Sequence, residues 1–161
     1  MSAITKSLVN MANAPLAAKD KAEKMLADHK ATDPATIRKL AEREAKTGHP
    51  GIAAWMYAAA GSKQDYDSAT PLFEKILAFP AAFEMRMKAG MKQQGAAMLE
   101  SKLCEKAGQF ELAAVMLMKA GVAEDVAWAK EARLRAHLGD IEGSDKMSGH
   151  TYRSEWVAKF F

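Results

Sequence analysis

A methionine returns through this chain at Met25, Met56, Met85, Met116 and Met147, in steps of 31, 29, 31 and 31 residues. Three residues ahead of it stands a small residue each time: Ala22, Ala53, Ala82, Ala113 and Ser144. That spacing is too long for one strand or one ordinary helix, and it matches a supersecondary unit stacked on copies of itself. The breakers keep the same time. Gly48, Gly61, Gly90, Gly108, Gly121 and Gly139 each follow a run rich in Ala, Leu, Met, Lys or Glu, where a helix needs a left-handed stop. Together with Pro15, Asp33-Pro34, Pro50 and Pro80 they cut the chain into segments of roughly 10 to 16 residues. No alternation of Val, Ile or Thr at period two interrupts the pattern, so the chain reads as all-α.

Three segments carry the recurrence most clearly: AAWMYAAAG (Ala53 to Gly61), AFEMRMKAG (Ala82 to Gly90) and AAVMLMKAG (Ala113 to Gly121). Upstream, Lys46 aligns with Lys106, Gly48 with Gly108, and Phe79 with Phe110. The best copy predicts a first helix over Gln93 to Ala107 and a second over Gln109 to Ala120, folded antiparallel at Gly108. Ser101, Ala113 and Ala120 let the two backbones approach, while Leu103, Phe110, Met116 and Leu117 fill the space between units. Asp67 to Leu77 falls in the first-helix position, Gly139 with Ile141 and Ser144 repeats the turn pattern, and Asp33 before Pro34 caps a helix start. The expectation is a stack of antiparallel helix pairs, about ten short helices in four to five units, with a concave inner surface.

At 161 residues, with 49% hydrophobic and 27% charged residues, the chain is one domain's worth of sequence. It divides into N-terminal helices over 1–32, a core of helix pairs over 33–147 and a C-terminal capping helix over 148–161. The longest uncharged stretch, Pro50 to Ser62, is too short to span a bilayer, and MSAITKSLVNMANAPLAA lacks the continuous apolar core of a signal peptide and reads as a first helix. The lone Cys104 excludes an intrachain disulfide and fits a reducing, cytoplasmic compartment. A net charge of +3 with mixed signs is mildly basic, short of the dense Lys/Arg patches of a committed nucleic-acid binder.

Catalysis finds little support. His29, His49, His137 and His150 are scattered, no motif for a nucleophile, a phosphate loop or a metal is present, and neither cofactor nor metal is expected. Cys104 reads as a small core residue. Met85, Met87, Met91 and Met98, or Met116 and Met118, form either an adaptable binding surface or gap-filling between helices. Tyr152, Trp156 and Phe160 make one amphipathic face that either caps the last unit or docks on another subunit.

AGQFELAAVMLMKA resembles the centre of a tetratricopeptide repeat, in which a turn glycine is followed by an aromatic, a small, a large and a small residue: Gly108, Phe110, Ala113, Leu117 and Ala120. The period is shorter than that family's 34, and Cys104 replaces the aromatic of its first helix. The resemblance implies a right-handed superhelical stack and a non-catalytic adaptor, scaffold or inhibitor that binds a partner protein in a groove lined by the first helix of each pair. Carried onto this chain, the groove columns are Lys46, Lys75, Lys106 and His137, and one turn earlier Glu42, Pro71, Lys102 and Arg133, with Arg38 nearby. A largely basic ladder of that kind prefers an acidic segment or a terminal carboxylate; the bland reading is that lysines near helix C-termini favour the dipole. A second functional class, nucleic-acid binding through the same basic groove, is motivated by the charge. Against it, the column of Arg38, Asp67, Met98 and Ala129 has none of the regularity of a base-reading repeat.

Overall fold

Local chemistry sets the helix boundaries. The computed structural model describes residues 3–160, with the side chains of 15–160, and contains ten α-helices and, among these residues, no strand. They are α1 (Ala3–Asp28), α2 (Pro34–Lys46), α3 (Pro50–Ala60), α4 (Lys63–Lys75), α5 (Phe79–Lys88), α6 (Gln93–Lys106), α7 (Phe110–Lys119), α8 (Glu124–His137), α9 (Ile141–Ser148) and α10 (His150–Phe160). Asp33 caps α2 by accepting the Thr36 amide at 2.9 Å, with Pro34 in the first turn as the sequence predicts. Ser62 and Asp65 form a reciprocal capping box at the start of α4, and Asp140 caps α9 through the Gly143 amide at 2.8 Å.

The turns after α2, α4, α6 and α8 are built alike. The carbonyls of Glu44, Phe73, Cys104 and Arg135 accept the amides of His49, Ala78, Gln109 and Asp140 at 2.9, 2.9, 2.8 and 3.2 Å. Within each, one residue is left-handed: Gly48 (φ 88°), Leu77 (φ 60°), Gly108 (φ 73°) and Gly139 (φ 93°). Leu77 does the work of a glycine, against the steric preference of a side chain with a Cβ. Each such turn reverses the chain, and helices adjacent in sequence pack on one another.

The chain divides into two compact units, Met1–Gly90 and Met91–Phe161. In the first, α1 lies on α3, α2 on α3, α3 on α4, and α4 on α5. Its core holds Ile37, Leu40, Met56, Phe73 and Met85, with Ala22, Ala53 and Ala82 at the close approaches. Trp55 meets Phe73 edge-on at 4.9 Å and donates its indole N–H to the Pro15 carbonyl at 3.0 Å. One proline departs from expectation: Pro15 lies inside α1, so one continuous helix replaces the break read from the sequence, whereas Pro71 sits within α4, in the helix expected over Asp67 to Leu77. A proline removes one amide and crowds one carbonyl; a helix held by tertiary packing on both sides of that point survives it.

In the second unit, α6 packs on α7, α7 on α8, α8 on α9, and α10 on both α7 and α9. Phe110, Ala114, Val115, Leu117, Trp128 and Met147 are buried together, and Tyr152, Trp156 and Phe160 of α10 close over them. The aromatic C-terminal face thus covers the core of its own unit. Ile141 departs from its expected role: it occupies the position of the buried Phe79 and Phe110 yet is 59% exposed, because α10 covers α9 elsewhere. Among the described residues no helix is long and apolar enough to cross a membrane.

Candidate functional site

The residues singled out from the sequence lie on α2, α4, α6 and α8, the first helix of each pair. Lys46, Lys75, Lys106 and His137 are each the last residue of their helix. All four are exposed, as are Glu42, Lys102 and Arg133. Arg38, Glu42, Lys46 and Lys75 belong to the first unit, and Lys102, Lys106, Arg133 and His137 to the second. None of the four exposed lysines has a carboxylate within ion-pairing distance among the described residues, whereas Lys88, Lys130 and Lys146 do.

Arg38 differs from the rest. Its guanidinium is engaged with Asp65 of α4 through Nε at 2.6 Å and Nη2 at 2.9 Å, and it reaches the Ser62 hydroxyl. Asp65 is 2% exposed, and the Arg38 hydrogen bond, opposed by burial and helped by Ser62, brings its carboxyl down to about 2. That geometry makes Arg38 a clamp between α2 and α4 and the start of α4's capping box.

Cys104 on α6 is wholly enclosed, as the sequence predicts, and with it are residues the sequence did not single out: Glu100 on α6 and Trp128 and Glu131 on α8. Lys130 pairs with Glu105 across the two helices and stands 3.4 Å from Glu131. One ammonium therefore serves two carboxyls, one of them without exposure. Burial pushes the Glu131 carboxyl up to about 8, and Glu105 adds to that while Lys130 only partly offsets it. Glu131 holds its proton at neutral pH and can give it in a hydrogen bond to ionised Glu105. Burial, with the surrounding Glu100, Glu131 and Glu105, also pushes the Cys104 thiol far above its ordinary value, so Cys104 is a buried thiol and not a thiolate. Among the described residues no group of His, Cys, Asp and Glu is arranged to hold a metal ion.

A second polar cluster ties the end of the chain together. Arg135 of α8 pairs with Glu111 of α7 and, at 2.6 Å, with Asp140, while the Tyr152 hydroxyl donates to Glu111 at 3.0 Å. Arg153 adds a bond to the Met147 carbonyl at 2.9 Å. These contacts join α7, α8, α9 and α10. The sequence hints at this end only through the helix-end cluster of His137, Asp140 and Glu142, which does not include Arg135.

The methionines separate by position. Met56, Met85, Met116 and Met147 are buried, Met25 is half-buried, and Met91 and Met98 are exposed on or beside α6. Gap-filling accounts for the buried column; of the methionines weighed as a binding surface, Met87 and Met118 are half-buried and Met91 and Met98 are exposed. Comparison with models of known protein families, with curated proteins and with solved structures gives no match.

Proposed function

We propose that this chain is a non-catalytic protein-interaction module, a divergent tetratricopeptide-like stack of helix pairs that presents the outer faces of its first helices to a partner protein. The observation that carries the reading is the exposed face that α2, α4, α6 and α8 keep, which ends on α2, α4 and α6 in a lysine with no ion-pair partner among the described residues. The like construction of the four first-to-second turns supports a common unit, and the absence of any arranged nucleophile or metal cluster among the described residues leaves catalysis without a candidate site. An exposed cationic face favours carboxylates on the partner, and the lone buried thiol suits a reducing, cytoplasmic setting.

The test is recovery of partners from the native cell with wild type and with a Lys75→Glu, Lys102→Glu, Lys106→Glu triple variant. Loss of the recovered protein in the variant is expected; undiminished recovery removes the cationic face from the reading. Binding of single-stranded RNA, falling steeply with added salt, would replace the protein partner by a nucleic acid.

A further inference from the structure

α10 closes the second unit without being enclosed by it. None of its residues is buried: Tyr152, Arg153, Trp156, Val157 and Phe160 are half-buried and the others are exposed. The cluster it packs against includes Val115, Trp128 and Met147, which have no exposure at all. A helix held along one side only opens locally at low free energy. Its polar ties are few: the Tyr152 hydroxyl donates to Glu111, and Arg153 reaches Asp125 at 2.9 Å and the Met147 and Ser148 carbonyls at 2.9 and 3.3 Å. The Asp125 side chain is 96% exposed, so that ion pair is of the weak surface kind.

The connection from α9 to α10 is a single residue, Gly149, in extended conformation (φ −76°, ψ 128°). A Cβ there would stand 3.3 Å from the Lys146 carbonyl oxygen, tighter than ordinary contact, so this sharp break between the helices suits a glycine. Were Gly149 helical, α9 and α10 would fuse into one helix over 141–160. The Met147 and Ser148 carbonyls would then pass from Arg153 to the amides four residues on, and no backbone group would be stranded. At about 3.6 residues per turn, the fused helix puts Trp156 about 180° from Met147, with Tyr152 and Phe160 about 40° to either side of Trp156. Gly143, the other buried residue of α9, stays beside Met147. With Gly143 and Met147 kept in their own unit, the aromatic face points away from it and needs cover from another molecule.

From this geometry we infer that α10 is exchanged between two copies of this chain, in a reciprocal two-fold dimer where the α10 of each copy lies on the α7–α9 core of the other. The occupant follows from complementarity within one molecule: the surface that fits Tyr152, Trp156 and Phe160, with Glu111 and Asp125 at its polar contacts, is the chain's own. Monomer and dimer use the same contacts and differ mainly at Gly149, so protein concentration sets the balance. The lysines that end α2, α4 and α6 take no part, and the exchange and the partner-binding reading stand or fall separately.

Sedimentation of the full chain should show a monomer when dilute and a dimer that grows with concentration. Gly149→Ala favours the helical hinge and crowds the break, and should tighten the dimer roughly tenfold. Insertion of Gly-Ser-Gly after Gly149 should abolish the dimer, because a slack connection lets α10 return to its own core. Cooperative thermal melts will verify that both variants fold. The exchange itself is read by mixing Asp125→Cys chains with Arg153→Cys chains, incubating them concentrated, then diluting and treating with a short bis-maleimide; Cys104 is buried and does not react. The expected product is a crosslink between position 125 of one chain and position 153 of the other, identified by mass spectrometry and absent when the chains are mixed only after dilution. A dimer that gives no such crosslink is formed by another surface and overturns the exchange. A wild-type chain that stays monomeric up to its highest soluble concentration overturns it too, whatever Gly149→Ala does.

Discussion

Glu131 puts an ionisable group where water does not reach, and its protonation links the protein's stability to pH. An unfolded chain releases that proton near 4.5, the folded chain near 8. Between those values the folded state binds the extra proton, so this residue's contribution is full below 4.5 and is lost as pH rises through about 8. The expected slope is at most about 1.4 kcal/mol per pH unit within the window. Urea midpoints of wild type and Glu131→Gln should nearly agree at the acid end and diverge, with the glutamine variant more stable, as pH approaches 8. Parallel curves would show that Glu131 carries no proton in the fold. Asp65 works in the opposite sense. Its carboxyl, near 3.8 unfolded and near 2 folded, stabilises above 3.8, and that contribution disappears as pH falls through 2. Cys104, buried beside these carboxyls, should resist a thiol reagent in the native protein and react on unfolding. The core position of Cys104 was legible in the sequence; the titrations of Glu131 and Asp65 were not. A glutamate at position 131 looks like any surface glutamate until the faces of α6, α7 and α8 are assigned, and only the small neighbours Ala127 and Ala132 mark that side of the helix as buried.

At the scale of one helix and its turn, the sequence was most informative and the structure adds the exceptions. All six glycines read as helix stops adopt positive φ, because the left-handed residue after a helix is a local requirement that glycine meets at least cost. The turn after α4 meets the same requirement with Leu77, which is 44% exposed and has little packing to lose. Leu77→Gly should therefore stabilise the protein by about 1 kcal/mol, raising the melting temperature by a few degrees. A lower melting temperature would mean that its exposed side chain contributes more than the backbone relief. The close approach of second helices can be probed at Ala113, which is fully buried. Ala113→Leu should destabilise by about 1–3 kcal/mol in a denaturant titration, because the extra methylenes have no space to occupy. Pro15 was misread for the converse reason. Its local preference is to end a helix, but α1 is held by Trp55 and by packing on α3, interactions between residues far apart in sequence.

Across the whole molecule, each of the two units is closed by its own hydrophobic clusters. In the second, α10 supplies the closing layer, and Trp156, stacked on Phe160 at 5.6 Å, lies over the α7 and α9 core. Trp156→Ala should speed amide hydrogen exchange in α7 and α9 by lowering the free energy of local opening, with the amides of the first unit as the internal reference. By itself the sequence determined the all-helical class, the places where helices stop, the small-residue and methionine columns that face inward, and the cations at the ends of α2, α4 and α6. These follow from propensity, capping and periodicity, which act within a few residues. Tertiary structure alone decided that Arg38 clamps Asp65 and that Glu131 is enclosed beside Glu105 and Lys130. Each depends on which faces of separate helices meet, and that choice is made by packing between distant segments.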